Sequence, residues 1–127
     1  MKQINVLLVE DSIYSADLNV RELKRAGFSV EHHVVASRGA MQRALWDKPW
    51  DLILSDNSMP GFSALEALEL RNQHRRETPF VIVSEDIAEI DVEIAKGKGC
   101  NGYISKEYLH LLGQHIKQII CKAKDLG

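Results

Sequence analysis

The chain has 127 residues, 45% hydrophobic and 27% charged, and its 16 Lys plus Arg against 18 Asp plus Glu give a net charge of −2. That length suits one domain with one core, and so even a balance provides no overall basic field to draw the chain to nucleic acid or anionic lipid. The first apolar run stops at Glu10 and Asp11, too soon for a signal peptide or a membrane span, so the expected compartment is the cytoplasm. Cys100 and Cys121 lie far apart with no CxxC or His spacing, which leaves a disulfide framework or a zinc site without support.

In chain order, Val6-Leu7-Leu8-Val9 predicts a first strand whose unbroken apolar character calls for cover on both faces. Ala16, Val20 and Leu23 then give a helical stripe ending at Gly27, and Val34-Val35 marks a second strand. Ser37 caps a helix carrying Ala40, Met41, Ala44 and Leu45, after which Leu52-Ile53-Leu54 is the third strand. Trp46 and Trp50 bracket the turn into that strand and are expected to pack across it. Ser63, with Glu66 three residues on, forms a capping-box pattern before the stripe Ala64, Leu65, Leu68. Arg71, Arg75 and Arg76 are expected on a solvated face, and Pro79 precedes the fourth strand, Phe80-Val81-Ile82-Val83. A fourth helix is expected from about Ile87 to Lys98, with Ile90, Ile94 and Ala95 inward and Gly97 and Gly99 at its end. Tyr103-Ile104 is the fifth strand, and Leu109, Leu112, Ile116 and Ile119 mark one long last helix. The alternation is (βα)5, for which right-handed crossovers make a doubly wound parallel α/β sheet the expected architecture, with residues 1–127 as one domain. His32 and His33 would point to opposite faces of a strand, which disfavours a metal pair there.

Ligands of such sheets bind beyond the carboxyl ends of the strands. Glu10 and Asp11 follow strand one, Asp56 ends strand three, Ser84 ends strand four and Lys106 follows strand five. Carboxylates gathered there would repel one another and raise each other's pKa unless a cation joined them, and Mg²⁺, which accepts a few carboxylates, waters and phosphate oxygens, suits a small open cluster; Mn²⁺ is the alternative hard cation. A carboxylate beside such an ion and Lys106 can attack phosphorus to give an acyl phosphate.

These residues carry a resemblance. Val9-Glu10-Asp11-Ser12, the stretch Asp51 to Gly61 reading DLILSDNSMPG, Phe80-Val81-Ile82-Val83-Ser84 and Gly99-Cys100-Asn101-Gly102-Tyr103-Ile104-Ser105-Lys106 together resemble the receiver domains of bacterial response regulators, over nearly the whole chain. The resemblance implies a CheY-like, flavodoxin-like sheet in the order 2-1-3-4-5. It implies that Asp56 accepts phosphoryl from a phosphohistidine of a sensor histidine kinase or phosphotransfer protein, and that Asp11, Asp56 and the backbone carbonyl of Ser58 contact Mg²⁺ while Glu10 acts through water. Lys106 would pair with the phosphoryl group. Ser84 and Tyr103 would act as switch residues that reshape the surface of helix four, strand five and helix five for an output protein or domain. On this reading the chain is a self-phosphorylating and self-dephosphorylating module without a turnover substrate.

The family pattern has a small residue after the switch hydroxyl and a cis-linked proline after the lysine, where this chain has Glu85 and Glu107. A cis bond before a non-proline residue costs about 2.5–4 kcal/mol, so a trans Lys106–Glu107 bond is expected. Glu85 is expected to hinder the phosphodonor or the hydrolytic water, with Ser58 and Asp86 flanking the same pocket as tuning positions. The competing classes are a pseudo-receiver that regulates without phosphate, an aspartate-nucleophile phosphatase or dehalogenase, which would want an aspartate where Ser58 stands, and an FMN carrier, whose phosphate Glu10 and Asp11 would repel. A free-standing receiver and one cut from a longer regulator or hybrid kinase fit the sequence equally.

Overall fold

A computed structural model describes residues 2–57, 59–85 and 92–126, with side chains as far as residue 122. Five strands, β1 (Lys2–Val9), β2 (Phe28–Val35), β3 (Leu52–Asp56), β4 (Phe80–Ser84) and β5 (Gly102–Ser105), alternate with helices α1 (Ile13–Arg25), α2 (Arg38–Asp47), α3 (Ala64–His74), α4 (Val92–Gly97) and α5 (Leu112–Leu126). The strands are all parallel and lie in the order β2-β1-β3-β4-β5. This is the expected doubly wound sheet.

The unbroken apolar strands divide their side chains between two cores. Leu7, Val9, Ile53, Phe80 and Ile82 pack with Met41, Leu45, Leu68 and Ala95 of α2, α3 and α4. Their chain neighbours Val6, Leu8, Leu52, Leu54, Val81 and Val83 pack with Ala16, Val20 and Leu23 of α1 and Leu112 and Ile116 of α5. Caps set the helix starts: the hydroxyls of Ser12, Ser37 and Ser63 accept from the backbone N–H groups of Ser15, Ala40 and Glu66, and Glu66 returns the bond to complete the capping box. Gly27, at φ 104°, turns the chain out of α1 through a region in which a Cβ would be strained. Among the described residues no helix is long and apolar enough to cross a membrane.

Several expectations are corrected. Strand two begins at Phe28, well before Val34, because Lys2–Val9 pairs with it in continuous register while its middle remains polar. The last helix is not continuous: Lys106–Leu111 is a 3-10 helix with non-helical backbone at Tyr108, and Leu109 lies on it, ahead of α5. Ile94 is 46% exposed where an inward position was expected, although Ala95 is buried. The expected first half of helix four, including Ile87 and Ile90, lies outside the described residues.

The two tryptophans do not pack across their turn. Trp50 is buried and its Nε1 donates to Ala44 O at 2.9 Å, whereas Trp46 is 72% exposed with its ring tilted against His74. Arg71 is not on a solvated face but buried, 3% exposed, with its guanidinium donating to the carbonyls of Arg76 and Gly99. It binds α3 to the turn after α4, and Asn72 Nδ2 adds a 2.7 Å bond to Lys98 O while Lys98 Nζ meets Glu69 Oε1 at 2.9 Å.

Candidate functional site

The strand ends bring the acids together for reasons that are local to each segment. Parallel pairing with β2 continues one residue past β1, the Glu10 N–H donating to Val35 O at 2.9 Å. That bond holds Glu10 inside, at 3% exposure, and strand alternation leaves Asp11 exposed. Ser12 then caps α1 with its side chain, while its backbone N–H donates to Glu10 Oε1 at 3.1 Å. Asp56 ends β3 opposite Val83, is 7% exposed, and accepts the Asn57 N–H on Oδ1 at 2.9 Å. Ser84 ends β4 paired with Ser105, so Lys106 leaves the sheet beside it.

A carboxylate oxygen from each of Glu10, Asp11 and Asp56 lies within 4.8 Å of the others. Lys106 Nζ stands 3.6 Å from Asp56 Oδ1 and 3.7 Å from Glu10 Oε2, too far for good hydrogen bonds but close enough for strong Coulomb attraction in a half-buried site. Burial pushes the Glu10 carboxyl up to about 7 from its usual 4.5; the charge of Asp56 and a hydrogen bond with Asp11 add to this, while the Ser12 amide and Lys106 oppose it. Three carboxylates thus gather around one lysine, which stands near two of them. Converging hard oxygen donors with uncompensated negative charge fit a divalent cation such as Mg²⁺, which Glu10, Asp11 and Asp56 would hold.

The switch candidates lie nearby in the fold. Ser84 is buried at its strand end, and Tyr103 on β5 is partly buried against the α2, α3 and α4 side of the sheet with Lys96 Nζ 5.9 Å from its ring. Glu85 is exposed, next to Ser84. The Lys106–Glu107 peptide is trans, as expected, since no described peptide is cis, and Ser105 Oγ accepts the Glu107 N–H at 3.2 Å to start the 3-10 helix. Ser58 and Asp86 lie outside the described residues.

Residues that pattern reading did not assign also shape the site. Ser12 fixes Glu10 through its amide, a role that a cap residue two positions after an acid can signal. Asn101 exchanges bonds with Phe80, Oδ1 accepting and N–H donating at 2.8 Å each, and thereby sets the register of β5 that delivers Lys106. An asparagine just before a strand was the available signal.

Comparison with known proteins gives a consistent result. A family model for the response regulator receiver domain matches residues 6–117. The signal transduction histidine-protein kinase BarA of Shigella flexneri is 33% identical over 129 residues, which cover 87% of this chain and 14% of that protein. The chain spans 3%, 47% and 14% of the lengths of the first curated relatives it matches. A CheY-like receiver domain protein from Methanospirillum hungatei JF-1 superposes with a TM-score of 0.82 at 22% identity, covering 99% of this chain and 100% of that one. The receiver domain of the sensor histidine kinase PA1611 from Pseudomonas aeruginosa PAO1, described with a magnesium ion coordinated in its active-site cleft, superposes at 0.69 with 23% identity, over 91% of this chain and 98% of that one. Sheet order, strand-end acids and the matched residues together establish that this chain belongs to the response regulator receiver domains of two-component signalling.

Proposed function

We propose that the chain is a Mg²⁺-dependent phosphoacceptor and that Asp56 takes phosphoryl from a histidine kinase or a histidine phosphotransfer protein. The observation that carries this reading is the placement of Asp56 within reach of Glu10, Asp11 and Lys106 at once. A carboxylate oxygen of Asp56 attacks phosphorus, the P–N bond of the phosphohistidine breaks as the P–O bond forms, and the electron pair leaves on the imidazole nitrogen, which takes up a proton. Lys106 balances charge on the transferred oxygens, and the Asn57 N–H orients Asp56 through Oδ1. Bound Mg²⁺ would supply further neutralisation of those oxygens. The PA1611 receiver, with magnesium in its cleft, supports the choice of ion; the likeness to BarA, itself a histidine kinase, supports the class of donor.

On this reading Ser84 and Tyr103 respond to the phosphoryl group and alter the surface of α4, β5 and α5, to the extent that phosphate contacts one arrangement better than the other. The module works in the cytoplasm, turns over no separate substrate and uses no nucleic acid or membrane contact of its own. Phosphotransfer from candidate kinases to the parent and to Asp56→Asn tests it: label retained by Asp56→Asn would remove the assignment.

A phosphate-independent interaction module is the second reading, favoured by Glu85, an exposed negative charge directly after Ser84. Beryllofluoride with Mg²⁺ discriminates, since spectral change at Asp56, Ser84 and Tyr103 belongs to the first reading and silence to the second. Glu85→Ala should speed small-donor phosphorylation or decay, and unchanged rates would free Glu85 of any tuning role.

A further inference from the structure

β2 is an edge strand, paired only with β1, and its middle is bare: Glu31, His32 and His33 are all exposed. Consecutive exposure in a sheet otherwise covered on both faces means that neither helix layer closes over this stretch. One bond fixes the direction of its backbone. Val35 O accepts from Glu10 and so faces β1; alternation along the strand turns the N–H and C=O of Val30, His32 and Val34 outward, and among the described residues nothing bonds to them. Natural edges are commonly blunted by proline, lysine or a bulge. The sequence FSVEHHVV has neither proline nor lysine, and its register with β1 is unbroken.

Beside this edge lies an open cleft of about 430 Å³ against α2, lined in part by His32, His33, Arg43, Asp47, Lys48 and Trp50. Lys48 Nζ is held 4.7 Å from the centre of the Trp50 ring, and His33 stacks on the same indole. Two permanent cations, Arg43 and Lys48, line it with a single acid, Asp47, in a protein whose net charge is −2; strand alternation puts the His33 ring on the α2 face and that of His32 on the other. We propose that this edge binds an extended acidic segment of a partner protein as an added strand, its backbone pairing with Val30, His32 and Val34 and its carboxylates meeting Arg43 and Lys48. A second copy of the chain complements the cleft poorly, since the strand it would offer contains Glu31 as its only acid.

The test uses the full chain and fluorescein-labelled peptides as long as β2, alternating Val with Glu, Lys or Ser, followed by fluorescence anisotropy and by amide chemical shifts. The Glu peptide is expected to bind at least about tenfold more tightly than the Lys peptide, against the sign of the overall charge, and to shift the amides of Val30, His32 and Val34. The double substitution Arg43→Glu, Lys48→Glu should invert that preference. His32→Pro should abolish binding while keeping the fold, because the N–H it deletes points outward; if circular dichroism shows that variant unfolded, the charge reversal decides. Asp56→Asn should bind like the parent. No binding of the Glu peptide, equal binding of all three, an affinity untouched by charge reversal, or sedimentation showing that β2 instead pairs with itself would each overturn the proposal.

Discussion

Lys106 Nζ lies 3.6 Å from Asp56 Oδ1, placing the cation that follows β5 against the acid that ends β3, with β4 between them in the sheet. The lysine is delivered by backbone pairing upstream, through the Asn101–Phe80 bonds and the Ser84–Ser105 register. Lys106→Met keeps the length of the side chain and removes the charge. It is expected to slow phosphorylation of Asp56 by a small phosphodonor about a hundred- to a thousandfold, the range for loss of one preorganised charge-stabilising group. Rates of acyl-phosphate formation at fixed Mg²⁺ check this.

Glu10 makes the metal-free protein pH-sensitive in a defined direction. Its folded pKa of about 7 lies above the ordinary 4.5, so between those values the folded state holds the proton more tightly, and stability falls as pH rises through that window. Glu10→Gln has no proton to lose. In EDTA it should match the parent near pH 4.5 and exceed it increasingly up to about pH 7.5, by at most about 3 kcal/mol for a shift of that size. Urea melts across pH measure it. Saturating Mg²⁺ should close the gap by stabilising the parent, and Asp11→Asn should lose that metal-dependent gain.

Arg71 closes two loops with one side chain, its guanidinium reaching Arg76 O and Gly99 O from a buried position. Arg71→Ala would leave both carbonyls without this donor and should cost about 2–4 kcal/mol. Arg71→Lys should recover little, because one ammonium lacks the planar fork that spans both acceptors. Chemical denaturation of the two variants provides the comparison.

Gly113 marks where α5 crosses α1 at close range. A Cβ there would lie 2.4 Å from Ala26 Cβ and 2.9 Å from Glu22 O. Gly113→Ala therefore should destabilise by about 1–3 kcal/mol, outweighing a gain of up to about 1 kcal/mol in helix propensity. Pairing it with Ala26→Gly should restore part of the loss, and a thermal-melt double-mutant cycle reads the coupling.

The strand-end acids were legible in the sequence because they terminate unbroken apolar runs, and such runs occur where both faces of a parallel strand are buried. β2 was read short for the complementary reason: at a sheet edge Ser29, Glu31, His32 and His33 meet water, so hydrophobicity marks only the end near Glu10. The burial of Arg71 escaped because its acceptors, Arg76 O and Gly99 O, are backbone atoms that side-chain periodicity does not report. Likewise, the pair Glu10-Asp11 announced an acidic site without saying which acid is inside; the Val35 carbonyl decides that by fixing the phase of the strand. The 3-10 helix after Lys106 was hidden since Leu109 continues the apolar spacing of α5 across a break that lies in the backbone of Tyr108.

The fastening of the turn after α4 to α3 by Glu69, Arg71 and Asn72 gives α4 one clamped end. These bonds hold Lys98 and Gly99 against α3, so Asn72→Ala or Glu69→Ala should raise amide exchange in that turn while leaving the Glu10, Asp11 and Asp56 cluster in place.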